Sequence, residues 1–413
     1  MKGRVVAELG RILQLVENGQ LPEEELRQIL FSYARGARYD YRPASGVEYV
    51  DEHETVLLTA TYNDDALTGL LAGPSLTDEM VEAIGRDVDR AVADTGSHVW
   101  RTVMFAWKKT EGYWRYGDRF QILPAPPEAP RPRWLVAEHP LVLEVRYRKS
   151  ATGALDHIRA QRESRTAALL LALLVEFGIH PQSRFAAHQW VLAVDQAPPD
   201  MRMHSEFLQA GYYIDGFKAV SEDFTDPVLS QCEVIPDQEY FQRFGGPIND
   251  ELTIPALLGP SLDRFFALGA ADQARLLRAC YWFALSSQLW PLSHSASYNA
   301  LVQANEVLEP LSSGAADCPS CHRPTGPGPT RKFSEFVEQY APWTDGRQRS
   351  RLYAIRSALI HGGHVFLGDD GGFGFAGIHP RSVDERRDHD MMEQVARVVL
   401  INRLLATADT PLS

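Results

Sequence analysis

Arg351-Leu352-Tyr353-Ala354-Ile355-Arg356-Ser357-Ala358-Leu359-Ile360-His361-Gly362-Gly363 is the run that decides how the C-terminal third of this chain is read. Leu352, Ile355 and Leu359 recur at i, i+3 and i+7, the spacing that lines one face of a helix with apolar side chains. Arg356 falls four positions after Leu352, on the margin of that stripe. A guanidinium keeps its charge at any physiological pH, so beside an apolar face it needs a carboxylate or an anion. Gly362 and Gly363 read as a helix stop with a left-handed cap, which makes His361 the last side chain before the turn. A fixed cation and a proton-exchanging ring thus come within reach of each other at a helix end. Two uses fit them. Arg356 and His361 form a site for chemistry, or Arg356 pairs with a carboxylate across the bundle (Glu306 is the candidate) while His361 closes its own helix. An Arg five positions before a His is a common coincidence, so the weight rests on the surrounding segments.

Working outward from that run, the texture from about residue 255 is helical only. Apolar periodicity predicts helices over 262–268, 271–289, 295–311, 332–340, 348–361 and 388–406, with a loop of Gly, Ser, Cys and Pro over 312–330 and a glycine-rich turn over 368–377. Residues 1–250 read differently. Two short helices are expected within 3–35, the second restarting at Pro22 with acidic residues in its first turn. Strands are expected over 55–62, 98–107, 113–123, 134–147 and 190–194, and helices over 76–95 and 155–178. Five prolines within 124–133 suggest a sub-boundary there, and 196–250 shows no clean period. The expected class is therefore α+β: a mixed α/β region over 1–250, then an all-α bundle over 255–413.

Several segments in order resemble one family. They are Ser297-Tyr-Asn-Ala-Leu-Val-Gln-Ala-Asn-Glu306-Val-Leu308, Cys318-Pro-Ser-Cys321, Lys332-Phe-Ser-Glu-Phe336 and the run through His361. Together they resemble an Apea-like HEPN domain over about residues 255–406. The mark of that family is Arg, a polar residue, a short spacer and His at a helix end in a small bundle. Here Ser357 follows Arg356 and is smaller than the Asn, Asp or His frequent in the family, and the spacer is at the short end of the family range.

The resemblance implies a metal-independent endoribonuclease effector of bacterial antiviral defence or toxin-like stress response, acting as a homodimer with its two motifs facing each other. RNA carries its own nucleophile, the 2′-hydroxyl. His361 would move protons as general base or acid, and Arg356 would stabilise charge on the phosphate oxygens. Ser357 and Glu306 would support the pair, and no cofactor would be required. Residues 1–250 would receive a trigger or regulatory partner. The alternative is a non-catalytic HEPN module for oligomerisation or nucleotide binding, with Arg356 in a structural ion pair.

Charge bears on the partner. The chain carries a net charge of −13, which is unlike a general nucleic-acid coat protein, because such binding runs on phosphate neutralisation. Between 323 and 356, however, seven basic residues face three acidic ones, and Arg331, Lys332, Arg349 and Arg351 are the candidate RNA contacts. Cys318 and Cys321 have the spacing of half a zinc knuckle, so a structural zinc at that pair is a candidate; His322 adjoins the pair, and His379 or His389 folding back would be a further ligand. Hydrophobic residues make up 45% and charged residues 23% of the chain, ordinary for a globular protein. No apolar run approaches the roughly 18 residues that span a bilayer. The charged, amphipathic N-terminus does not read as a signal peptide, so the expected location is the cytoplasm, with no membrane partner.

Overall fold

Leu9, Ile12, Leu26, Ile29 and Leu30 recur at helical spacing near the N-terminus and are all buried. In the computed structural model they lie on α1 (Lys2–Glu17) and α2 (Glu23–Tyr33). The structure describes residues 2–39, 46–63, 66–93, 96–127, 139–150, 153–175, 179–180, 218–242, 250–308, 328–370 and 379–406. Four strands follow: β1 (Gly36–Tyr39), β2 (Gly46–Val50), β3 (Val56–Asn63) and β4 (Ala66–Ala72). They form an antiparallel meander in chain order. Tyr49, Leu58, Ala60, Leu67 and Leu70 from the strands join Val81, Ile84 and Val88 of α3 (Asp78–Val92) in one core with α1 and α2. Thr77 starts α3 by accepting from the Met80 amide, which satisfies an orphan donor of the first turn.

A second sheet has the order β10-β5-β8-β7-β6, with β9 also paired to β5. Its members are β5 (Ser97–Ala106), β6 (Trp114–Tyr116), β7 (Phe120–Pro124), β8 (His139–Arg148), β9 (Ile179–His180) and β10 (Val220–Ser221). The single strand expected over 113–123 is a hairpin instead. Gly117 turns the chain at a φ of +48°, a conformation that a side chain disfavours. Between β8 and β9 lies α4 (Gly153–Leu174). The pair β11 (Val234–Ile235) and β12 (Ile254–Pro255) is parallel and flanks α5 (Asp237–Gln242).

From residue 258 onward every described element is a helix: α6 (Leu258–Ala267), α7 (Ala270–Leu289), α8 (His294–Glu306), α9 (Pro329–Tyr340), α10 (Gly346–Ile360), α11 (Leu367–Asp370) and α12 (Pro380–Leu405). The longest, α12, rests against α6, α7, α8 and α9, and α8 also packs on α7 and α10. Phe283, Tyr298, Leu301, Phe333, Leu352, Met392, Val395 and Val399 are buried there. Expected and observed helices differ most at α12, which begins at Pro380 rather than 388. Proline suits a first helical position, and the His379 ring caps the turn by accepting from the Arg381 amide.

The chain divides into two compact units. One comprises Met1–Trp100, Arg146–Glu163 and Val220–Asp223; the other comprises Arg101–Val145, Ser164–Ala219 and Phe224–Ser413. This division differs from a boundary near 250, because strands between 101 and 145 group with the helices. The protein is α+β, and no described helix is long and apolar enough to cross a membrane. The strand expected over 190–194 and most of the glycine run at 368–377 lie outside the described residues.

Candidate functional site

Asp345 begins the helix that carries the candidate pair. Its carboxylate accepts from the Gln348 amide at 2.7 Å, and the Gln348 side chain accepts from the Asp345 amide at 2.9 Å. This reciprocal capping box fixes where α10 starts. Its other end is a Schellman motif: the Gly363 amide bonds Ala358 O at 3.0 Å and the Gly362 amide bonds Leu359 O at 3.3 Å. Gly362 has a φ of +68°, the left-handed value that this turn requires. His361 is the capping residue.

Leu352, Tyr353 and Leu359 of α10 are buried, and the Tyr298 hydroxyl of α8 donates to Leu352 O at 2.7 Å. That contact sets α10 against α8 and brings Arg356 to Glu306. Arg356 Nη2 lies 3.0 Å from Glu306 Oε1 and 3.2 Å from Oε2, with side chains 20% and 22% exposed. The guanidinium also sits over the Tyr353 ring, 5.4 Å from its centroid. Arg356 Nε is buried without an acceptor. One nitrogen therefore meets both carboxylate oxygens, and Nη1 makes no hydrogen bond with any described residue.

His361 is exposed, and its ring has no hydrogen bond or ion pair with any described residue. Residues five apart on an α-helix differ by about 140° in direction and about 7.5 Å in height. Arg356 and His361 accordingly leave α10 on different faces, and no hydrogen bond joins them. Ser357 is half-buried between these positions, and its carbonyl accepts from the His361 amide at 3.1 Å.

The basic residues singled out by sequence have their own partners. Arg349 is a correction: it is buried, donates to Thr344 O at 2.5 Å and Ser334 Oγ at 3.2 Å, and pairs with Glu338 at 3.0 Å. It braces α10 against α9 and does not face solvent. Arg351 forms a two-pronged pair with Asp388, 2.7 Å on each prong. Arg331 pairs with Glu335 one turn on. Lys332 is exposed. Four of the basic residues of this stretch thus meet carboxylates, two from within it (Glu335 and Glu338) and two from other helices (Glu306 and Asp388).

Cys318 and Cys321 lie outside the described residues. Of the histidines considered with them, His379 caps α12, and His389 is buried with Nε2 2.8 Å from Ser297 Oγ. Ser297 Oγ also donates to Ser286 O at 2.7 Å, so its proton is committed and the His389 ring supplies the other one. Among the described residues no group of three or more His, Cys, Asp or Glu is placed to hold a metal ion.

Sequence reasoning passed over the cluster around Trp290, whose signal lay in aromatic and histidine residues at the α7–α8 turn. Trp290 stacks on His294 at 3.8 Å and contacts His389 at 4.1 Å. Asp369 accepts from the His294 amide, the Ser295 amide and the Ser293 hydroxyl, which covers the start of α8. Burial, with His294 as a second cause, pushes the His389 imidazole down to about 3 from 6.5. The folded protein thus binds fewer protons here than the unfolded chain. The stabilisation is complete above about pH 6.5 and is lost as pH falls toward 3. At up to about 1.4 kcal/mol per unit, about 2 kcal/mol disappears between pH 6.5 and 4.5. Urea unfolding at the two pH values measures this, and His389→Leu is expected to flatten that part of the profile.

Comparison of the chain with family models, with curated proteins and with solved structures gives no match.

Proposed function

We propose that the helical region around α8, α10 and α12 is an HEPN-type module that cleaves RNA without metal, as a homodimeric effector of antiviral defence or toxin-like stress response. The observation that carries this reading is the state of the two side chains. Arg356 is held in one pose yet keeps Nη1 open, and His361 stands in solvent at a helix end with both ring nitrogens uncommitted.

The chemistry is transesterification. His361 takes the proton of a 2′-hydroxyl, whose oxygen bonds the adjacent phosphorus. The P–O5′ bond breaks, and a second imidazolium gives its proton to the departing 5′-oxygen. Products are a 2′,3′-cyclic phosphate and a 5′-hydroxyl. Arg356 meets the added negative charge on the phosphate oxygens. Because Arg356 and His361 diverge on one helix, a second chain supplies the complementary His361. Residues N-terminal to the bundle receive the trigger.

One observation favours the second reading, a non-catalytic module for oligomerisation or nucleotide binding. Glu306 already neutralises Arg356, which is what a structural ion pair would do. The two readings part in a direct test. Wild type and His361→Ala are incubated with structured RNA and a chelator, and the 3′ ends of the products are examined. Loss of about 10²–10⁴-fold in rate with His361→Ala is expected, and cyclic phosphate ends mark the wild-type products. Equal cleavage by both proteins would sink the catalytic assignment, and no cleavage by wild type leaves the module reading.

A further inference from the structure

We propose that the outer face of α7 is a track for single-stranded RNA, in which Arg275, Arg278, Tyr281 and Arg165 guide the strand toward Arg356. This rests on the reading that the helical region acts on RNA, and it names the surface that would hold the substrate. Residues 275, 278 and 281 are successive i, i+3 positions, so each neighbours the next while the series winds about 120° around α7 over about 9 Å. That length spans roughly one to two backbone steps of an extended strand, so each cation can meet its own phosphate.

Charge pairing separates these residues from the set first suggested by sequence. Arg165 and Arg278 are exposed, and neither has a carboxylate partner among the described residues. Arg331 and Arg351 are each neutralised by an acid. Tyr281 is 39% exposed, and the Arg165 guanidinium lies 5.5 Å from its ring centroid. Trp282 meets the same ring edge-on at 5.8 Å and steadies it. An exposed ring beside unpaired guanidinium groups is the surface on which an unstacked base and its phosphates both find a counterpart. A duplex hides its base faces, so the ring selects a single strand.

The track also connects to the candidate site. Arg275 Nε donates to Val307 O at 2.8 Å, one residue beyond the Glu306 that holds Arg356. Arg275 is held below the usual arginine range, first by burial and then by the neighbouring Arg403 and Arg278, with Asp272 opposing. Asp272 is the acid that acts on Arg275.

The test uses full-length protein carrying His361→Ala, so that binding is read without cleavage, and a fluorescent single-stranded oligoribonucleotide followed by anisotropy across a salt series. Arg278→Gln and Arg165→Gln are each expected to weaken binding and to flatten the slope of log affinity against log salt by about 0.7. Tyr281→Ala is expected to weaken binding about fivefold to a hundredfold with the slope unchanged. Melting temperatures verify that each variant is folded. If the His361→Ala protein binds RNA and the three further substitutions alter neither affinity nor slope, the track is overturned while the RNA reading stands. Equal affinity for a duplex overturns the single-strand assignment. If the parent does not bind RNA at all, and wild type does not cleave it, the RNA reading itself has failed and the track with it.

Discussion

Arg159→Met is expected to lower the free energy of unfolding by about 3–5 kcal/mol, the largest effect of any single substitution considered. Arg159 on α4 and Glu25 on α2 are both fully buried. Arg159 Nε lies 3.0 Å from Glu25 Oε1, and Nη2 lies 2.5 Å from Oε2. The remaining donors are used too. Nη2 reaches Ala91 O near the end of α3 at 2.6 Å, and Nη1 reaches Lys149 O at 2.9 Å, just past β8. One guanidinium thus closes the last turn of a helix, the end of a strand and a carboxylate from a third element. Removing it leaves the buried Glu25 carboxylate with only the partly exposed Arg162, 3.2 Å from Oε1, as a cation, and strands the carbonyls of Ala91 and Lys149, each with a desolvation penalty of its own. The measurement is urea unfolding of wild type, Arg159→Met, and Arg159→Met with Glu25→Leu. The double substitution is expected to recover much of the loss, because no buried charge remains. A single-substitution loss below about 1 kcal/mol would show that water reaches the pair.

What could be read from sequence follows from the range of the forces involved. The spans of α3, α4, α7 and α10 were legible because an apolar stripe at helical spacing is a local pattern that burial preserves. The meander was mostly missed: of its four strands only β3 stood out, through its β-branched run. β1 carries Gly36, Ala37 and Arg38, and β4 carries Gly69, so neither declares itself by composition. They are strands because neighbours supply hydrogen bonds. The start of α12 was missed for a different reason. Arg381 to Asp388 is charge-rich and shows no apolar period, so the cap at His379 and Pro380 was the available signal. The Glu306–Arg356 pair was foreseen as one of two uses. The fates of Arg349 and Arg351 were not, since their partners Glu338 and Asp388 come from other helices. A surplus of charge in a stretch of sequence says nothing about which carboxylates fold back on it. Arg278 and Arg165 escaped notice because they belong to helices that look like ordinary core elements.

Arg356→Lys is the substitution that best separates a guanidinium that works on phosphate from one that braces the bundle. Lysine keeps the charge but loses the planar fork. Glu306 engages Nη2 through both oxygens, which leaves Nη1 as the nitrogen able to meet a phosphate. A lysine ammonium would settle on Glu306 and present no second, pre-oriented donor. The expected result is a fall of about 10²–10³-fold in kcat on RNA, the size of effect seen when one donor to a developing oxyanion is removed. The melting temperature should move little, since a pair about one-fifth exposed on each side contributes about 1 kcal/mol or less. Glu306→Gln sharpens the comparison. Glutamine can still accept from Nη2, so Arg356 stays oriented, and cleavage should fall far less than with Arg356→Lys. Should Arg356→Lys instead leave cleavage unchanged while Arg356→Lys and Glu306→Gln lower the melting temperature together, the pair is a brace, and the charge that serves catalysis must be sought on another side chain.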